Sequence, residues 1–402
     1  MVSSVNSGRS DLKTDTLLKV SLWRVVFRTL LVLMIVLGAS VTSQAKEVIY
    51  QNDLALQHYI TKGYRLVYNS NQAMSTYSYA YSNSTTLEST SGTDAQFQSL
   101  IYTGIPNPQS MTVSPDGKTA WVMSSYQSGN DNARHGRIYR VDLSKYYGQE
   151  AYADEDKEGV TAGPEIVTGH GQTLSYNPAT NELWYVRETK VQNTTLVQVD
   201  PDTLDVVKEI HFRFSSDYVF PPTFVFDREG NCWTYTRSVG SNWVPRGAIR
   251  FYKGKIEDDH VSFEMIPQGL RYPPGYLCQA FGYNPANDRL YVVSDGEYIS
   301  VPASKAGEWT ADDVETTVFK GQRREFEGIA FSEEGCGFLL VNKPSEIMRD
   351  KVTYESGLKE RARIDEVKQV YASDQKDIEQ KVEVEKDEIV LDNIGELLEE
   401  GL

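Results

Sequence analysis

The chain has 402 residues, with 56 acidic against 40 basic side chains and a net charge of −16. That balance excludes nucleic acid as the natural partner, since phosphate binding draws on massed lysine and arginine, and it serves solubility instead. Three cysteines, Cys232, Cys278 and Cys336, cannot all pair with one another and stand in no zinc or CxxC spacing, so buried free thiols are expected.

The first segment reads as an export signal. Arg9, Lys13, Lys19, Arg24 and Arg28 form a basic region, Leu30 to Val41 an apolar run, and Ser43-Gln44-Ala45 a small-residue cleavage site. Cleavage after Ala45 is predicted. An uncleaved anchor over Val20 to Val41 would bury Arg24 and Arg28, and the clean apolar run is too short for it. Loss of five basic and two acidic side chains moves the chain from −16 to −19. The long basic region points to a Gram-positive exported protein, extracellular and without a membrane anchor once cleaved. A monomer is expected.

Residues 46–350 are read as one β-propeller. Five copies of one strand–turn–strand sentence recur: QSMTVSPDGKTAWVM, QTLSYNPATNELWYV, PTFVFDREGNCWTY, QAFGYNPANDRLYVV and EGIAFSEEGCGFLL. Repeats of roughly 50 residues built only from short strands are characteristic of radial arrays. Within the first strand of each copy, Met111/Val113, Leu174/Tyr176, Phe281/Tyr283 and Ile329/Phe331 alternate with small residues such as Ser110/Thr112 and Gly328/Ala330. The small set is expected to face the crowded axis. Trp121, Trp184, Trp233, Tyr291 and Phe338 on the second strands are expected to fill the space between sheets.

The fold class is therefore all-β, a single propeller of five or six four-stranded blades. Six is preferred, because residues 50–104, with YRLVYN and TYSYAYS, look like most of a further blade. The last copy must borrow an outer strand from the N-terminal segment or from the tail, which also removes an exposed edge. Residues 351–402, with eight basic and fifteen acidic side chains and no Trp or Pro, read as a charged tail, partly helical or disordered.

Function has to come from loops, since propellers host many activities. Segments leading into the innermost strands and those joining second to third strands share one face. On it the sequence gathers His170, Arg271, Tyr272, Arg323 and Arg324, with Arg134, Arg187, Arg237 and Arg246. Arginine forks suit carboxylate and phosphate, and the neighbouring aromatics suit sugar rings. Gln109, Gln172, Gln279 and Glu327 lead the inner strands and should ring the channel mouth. This face is expected to bind an anionic glycan or cell-wall polymer. Equally open is that these arginines pair with local carboxylates and fix the loops. Were the protein an enzyme, Glu327 would serve as acid and His170 as base, but no third group and no GxSxG or HExxH accompanies them. A ring of amides with one carboxylate is a poor metal site, so no cofactor is implied by the residues.

Three stretches, GHGQTLSYNPATNELWYV, QGLRYPPGYLCQAFGYNPANDRLYVVSDGEYISVP and RREFEGIAFSEEGCGFLLVNKPSEIM, resemble a group of secreted propeller proteins of lactobacilli, called extracellular proteins; the resemblance covers roughly residues 95 to 350. More distantly the pattern is similar to the propeller of helveticin-type large bacteriocins. These resemblances imply an envelope-binding or antibacterial secreted protein. EFEGIAF also resembles an element of lactonase-like and phytase-like propellers, which implies calcium at Glu327 and hydrolysis as an alternative. Gln109, Gln172 and Gln279 do not match the other acidic ligands there.

Overall fold

The structure is a computed structural model that describes residues 46–50, 65–69, 84, 86–127, 133–146, 152–153, 158–187, 193–213, 223–237, 247–271, 279–319, 324–352, 359 and 362–363. The predicted export signal and nearly all of the predicted charged tail lie outside them, as do Tyr272, Arg323 and Cys278. Among the described residues no helix is long and apolar enough to cross a membrane.

Five antiparallel sheets stand radially, and each begins with one of the five repeat copies at the axis. Blade 1 runs outward through Pro108–Val113, Thr119–Gln127, Arg134–Asp142 and Val160–Ala162. Blades 2, 3 and 4 begin with Leu174–Asn177, Phe224–Phe226 and Ala280–Asn284, and end with Val206–Arg213, Val261–Arg271 and Glu315–Val318. Blade 5 consists of Glu325–Phe331, Gly337–Asn342 and Glu346–Asp350, completed by Gln96–Thr103 from the N-terminal segment, with Ile101 opposite Ile347. The borrowed strand therefore comes from the N-terminal side, and it ties the two ends of the propeller together.

The count is five, and the preference for six is corrected. The YRLVYN stretch forms Arg65–Asn69, a parallel fifth strand on the outside of blade 3, not the inner strand of another blade. Glu47–Tyr50 likewise lies parallel on the outside of blade 2, while Thr86–Glu88 on blade 5 and Ser91–Gly92 on blade 4 pair antiparallel. The segment thus adds an outer strand to four blades. TYSYAYS lies outside the described residues.

The small residues also need reassignment. Because the sheets stand edge-on to the axis, both faces of an inner strand pack against neighbouring blades. A Cβ on Gly282 would come within 2.6 Å of Ile329 in the next blade, and one on Gly328 within 3.0 Å of the Met111 backbone nitrogen. Thr112 Oγ1 accepts the Tyr176 N–H at 3.2 Å, and Ser110 donates to Gly171 O at 2.7 Å. Small residues therefore make room for the large inner-strand residues of the following blade. The second-strand aromatics face the same way: Trp121 stacks on Tyr176 at 5.2 Å and Tyr291 meets Phe331 at 4.7 Å. All five are buried between blades, as are the free cysteines Cys232 and Cys336.

Candidate functional site

The segments leading into the inner strands gather on the upper face, and the hairpin turns between first and second strands on the lower. At the upper end two of the predicted glutamines meet, and Gln109 does not join them. Gln172, ahead of blade 2, donates to Gln279 Oε1 of blade 4 at 2.9 Å, so the bond passes over blade 3, whose own inner strand is preceded by Thr223. Gln279 donates in turn to Asp295 Oδ1 at 2.9 Å, and the same oxygen accepts the Phe326 N–H of blade 5 at 3.4 Å. Gln109 turns back to Pro108 O at 3.1 Å and to Asn107 Oδ1 at 3.4 Å. One amide bond, Gln172 to Gln279, therefore crosses this end of the axis.

Glu327 is 2 % exposed beneath that layer. Burial pushes its carboxyl well above the usual carboxylate range, Glu325 and Asp295 add to the effect, and the Asn342 amide, donating at 2.8 Å, opposes it. The burial thus favours the protonated form, and the side chain shares a narrow recess with Ser110, Gln172, Thr173 and Thr223. Among the described residues no three His, Cys, Asp or Glu side chains converge as cation ligands. Asp295 serves Gln279 and Glu325 faces Lys343 at 3.5 Å, so the donor set does not fit calcium, a hard cation that takes several carboxylates.

The arginines divide. Arg324 is 1 % exposed and inside blade 5, donating to Glu346 at 2.6 Å and to Pro344 O at 2.6 Å, so it is no part of a binding rim. Arg187 pairs with Glu209, which also takes Lys46 at 2.5 Å; despite burial, these cations hold Glu209 below the usual carboxylate range. Arg271 ends the fourth strand of blade 3, half-buried, with Ala248 and Asn69 as its strand neighbours. Arg134 is exposed, and its Nη1 lies 2.7 Å from His170 Nδ1. His170 and Glu327 thus serve separate partners and are joined by no hydrogen bond.

Sequence reading missed Asn342, although a signal was present. Four residues beyond each second-strand aromatic stands a polar residue, Ser125, Glu188, Arg237, Asp295 or Asn342. Where described, their side chains bind across blade ends: Ser125 to Gly169 O at 2.6 Å, Asp295 to Gln279, and Asn342 to Glu327 and, at 3.4 Å, to Pro108 O.

The lower end of the axis is different. A cavity of about 240 Å³ opens among the turns, lined from all five inner strands by residues such as Met111, Leu174, Val225, Phe281 and Ile329. Nothing at this end was predicted from sequence, because its walls are the core residues of the repeat.

Five radial sheets closed by an N-terminal strand define a five-bladed β-propeller with hydrogen-bonded amides at one end of its axis and a funnel of mixed apolar and polar lining at the other. No family model and no curated protein sequence matches the chain. Solved structures similar to it include a periplasmic gluconolactonase of Pseudomonas aeruginosa, 12% identical with a TM-score of 0.36 over 64% of this chain and 75% of that one. A soluble aldose sugar dehydrogenase of Escherichia coli is 10% identical, TM-score 0.38, over 63% of this chain and 99% of its own. The propeller domain of the trilobed protease of Pyrococcus furiosus, described as having an open velcro topology, is 12% identical, TM-score 0.27, over 65% and 79%. Likeness at this level carries no argument about activity.

Proposed function

We propose that the protein is a secreted binding module that meets an anionic cell-wall polymer or host glycan on the upper propeller face. One observation carries this reading. Arg134 is exposed and its guanidinium contacts a histidine nitrogen, with no described carboxylate in ion-pair distance, whereas Arg187 and Arg324 are occupied by Glu209 and Glu346. A guanidinium only donates, so at this contact Arg134 spends one N–H on the ring nitrogen and keeps its charge on a planar fork, a group matched to carboxylate, sulfate or phosphate. Export follows from the basic region, apolar run and Ala45 cleavage site of the N-terminal segment. The test is retention of the purified protein on teichoic acids, acidic polysaccharides and mucin-type glycans. Binding that weakens with salt and drops in Arg134→Ala supports the reading, and retention on none of them rejects it.

A second reading, a propeller hydrolase, is favoured by Glu327, since burial raises its proton affinity in the direction a general acid requires. Its narrow recess and its bond to Asn342 favour a structural role instead. Turnover of a lactone, phosphoester or glycoside that disappears in Glu327→Gln would establish the hydrolase.

A further inference from the structure

The funnel at the lower end of the axis belongs to neither reading. Its deeper walls carry apolar and aromatic side chains, with Leu174, Phe281 and Ile329 nearly buried and Tyr176 and Phe331 half-buried, and polar groups such as Thr112, Ser175, Asp227 and Arg228 contribute the rest of the lining. At the upper end the Gln172–Gln279–Asp295 hydrogen-bond chain spans the axis. At about 240 Å³ it falls just below the roughly 300 Å³ where drug-sized pockets begin, so it suits a fragment-sized guest.

Charge at the rim selects among such guests. Asp227 lines the cavity, but its carboxylate is taken up by Asn231, the Trp233 indole at 2.9 Å and Lys253 at 3.6 Å. Arg228 is half-exposed. Its Nη2 donates to Pro285 O at 3.0 Å and its Nε stands 3.9 Å from Glu333, while Nη1 bonds no described residue. An ion pair this long between two exposed side chains is worth little and yields readily to a better-placed anion.

We infer that the lower funnel is a second binding site, for a small molecule with a flat or branched apolar body and one carboxylate, the body entering the cavity and the carboxylate meeting Arg228. The site lies among the turns at the opposite end of the axis from Arg134 and His170, and shares the walls Met111, Leu174, Phe281 and Ile329 with the recess of Glu327.

The probes are 2-naphthoate and its neutral isostere 2-naphthamide, titrated calorimetrically into the purified protein. The naphthoate should bind one per chain and more tightly than the amide. Arg228→Ala should weaken naphthoate by about tenfold, the scale of one charge-assisted hydrogen bond, and leave the amide unchanged. Glu333→Gln, which removes the competing carboxylate, should tighten naphthoate. Both positions are exposed, so the variants are expected to fold, and a thermal unfolding scan checks this. No binding of either probe, or naphthoate binding that neither substitution alters, would overturn the inference. Binding of both probes with equal affinity would overturn the assignment of a carboxylate to Arg228.

Discussion

At the scale of single residues, Glu327 holds the least ordinary chemistry in the molecule. Its folded-state proton affinity is raised chiefly by burial, so between the ordinary glutamate range and its folded pKa the folded chain binds a proton that the unfolded chain has lost. Its contribution to stability is complete below the ordinary glutamate range and is lost as pH rises toward and through the folded value. Glu327→Gln has the same shape, can still accept from Asn342 and cannot ionise. Its thermal midpoint should match the parent near pH 4.5 and exceed it at pH 8, as two unfolding scans would show. Arg324 offers the complementary case. Arg324→Ala leaves Glu346 buried without its cation and should cost about 3–5 kcal/mol in denaturant unfolding, whereas exposed Arg134→Ala should stay within about 0.5 kcal/mol. The glutamines were legible in the sequence because the repeats align them at one position of the blade. The fate of the arginines was not. Glu346 and Glu209 lie 22 residues from Arg324 and Arg187 along the chain, and only the registration of separate strands brings them together.

Among the elements, the repeat fixes what each strand is but not which edge it joins. The five inner strands and the aromatics behind them were readable, since a period of two and a recurrent turn encode them. YRLVYN was equally readable as a strand, yet it pairs parallel with Gln268–Arg271 on the rim of blade 3, a long-range choice that leaves no local trace. The blade count was overestimated for that reason. The small residues misled in a related way: a glycine in an alternating strand signals close approach, but not by what. Here the approach is from the adjacent blade, so Gly282→Ala should cost about 1–3 kcal/mol through its clash with Ile329, read as a lowered denaturation midpoint with unchanged slope. A neutral Gly282→Ala would mean that the blades have slack at their inner edges.

The propeller is a ring whose two ends have been given different chemistry by the same strands. Amides and a buried carboxyl of raised proton affinity lie at the upper end, and core side chains left partly uncovered line the funnel below. In a chain of net charge −16, the location of uncompensated positive charge decides where an anionic polymer could settle. The measurement that tests the account most directly is retention of the purified protein on an immobilised teichoic acid or acidic polysaccharide at low and high salt, for the parent, Arg134→Ala and Arg228→Ala. The account predicts binding that falls with salt, drops severalfold in Arg134→Ala and is kept in Arg228→Ala. Binding that is absent at low salt, or that survives in Arg134→Ala unchanged, would contradict it.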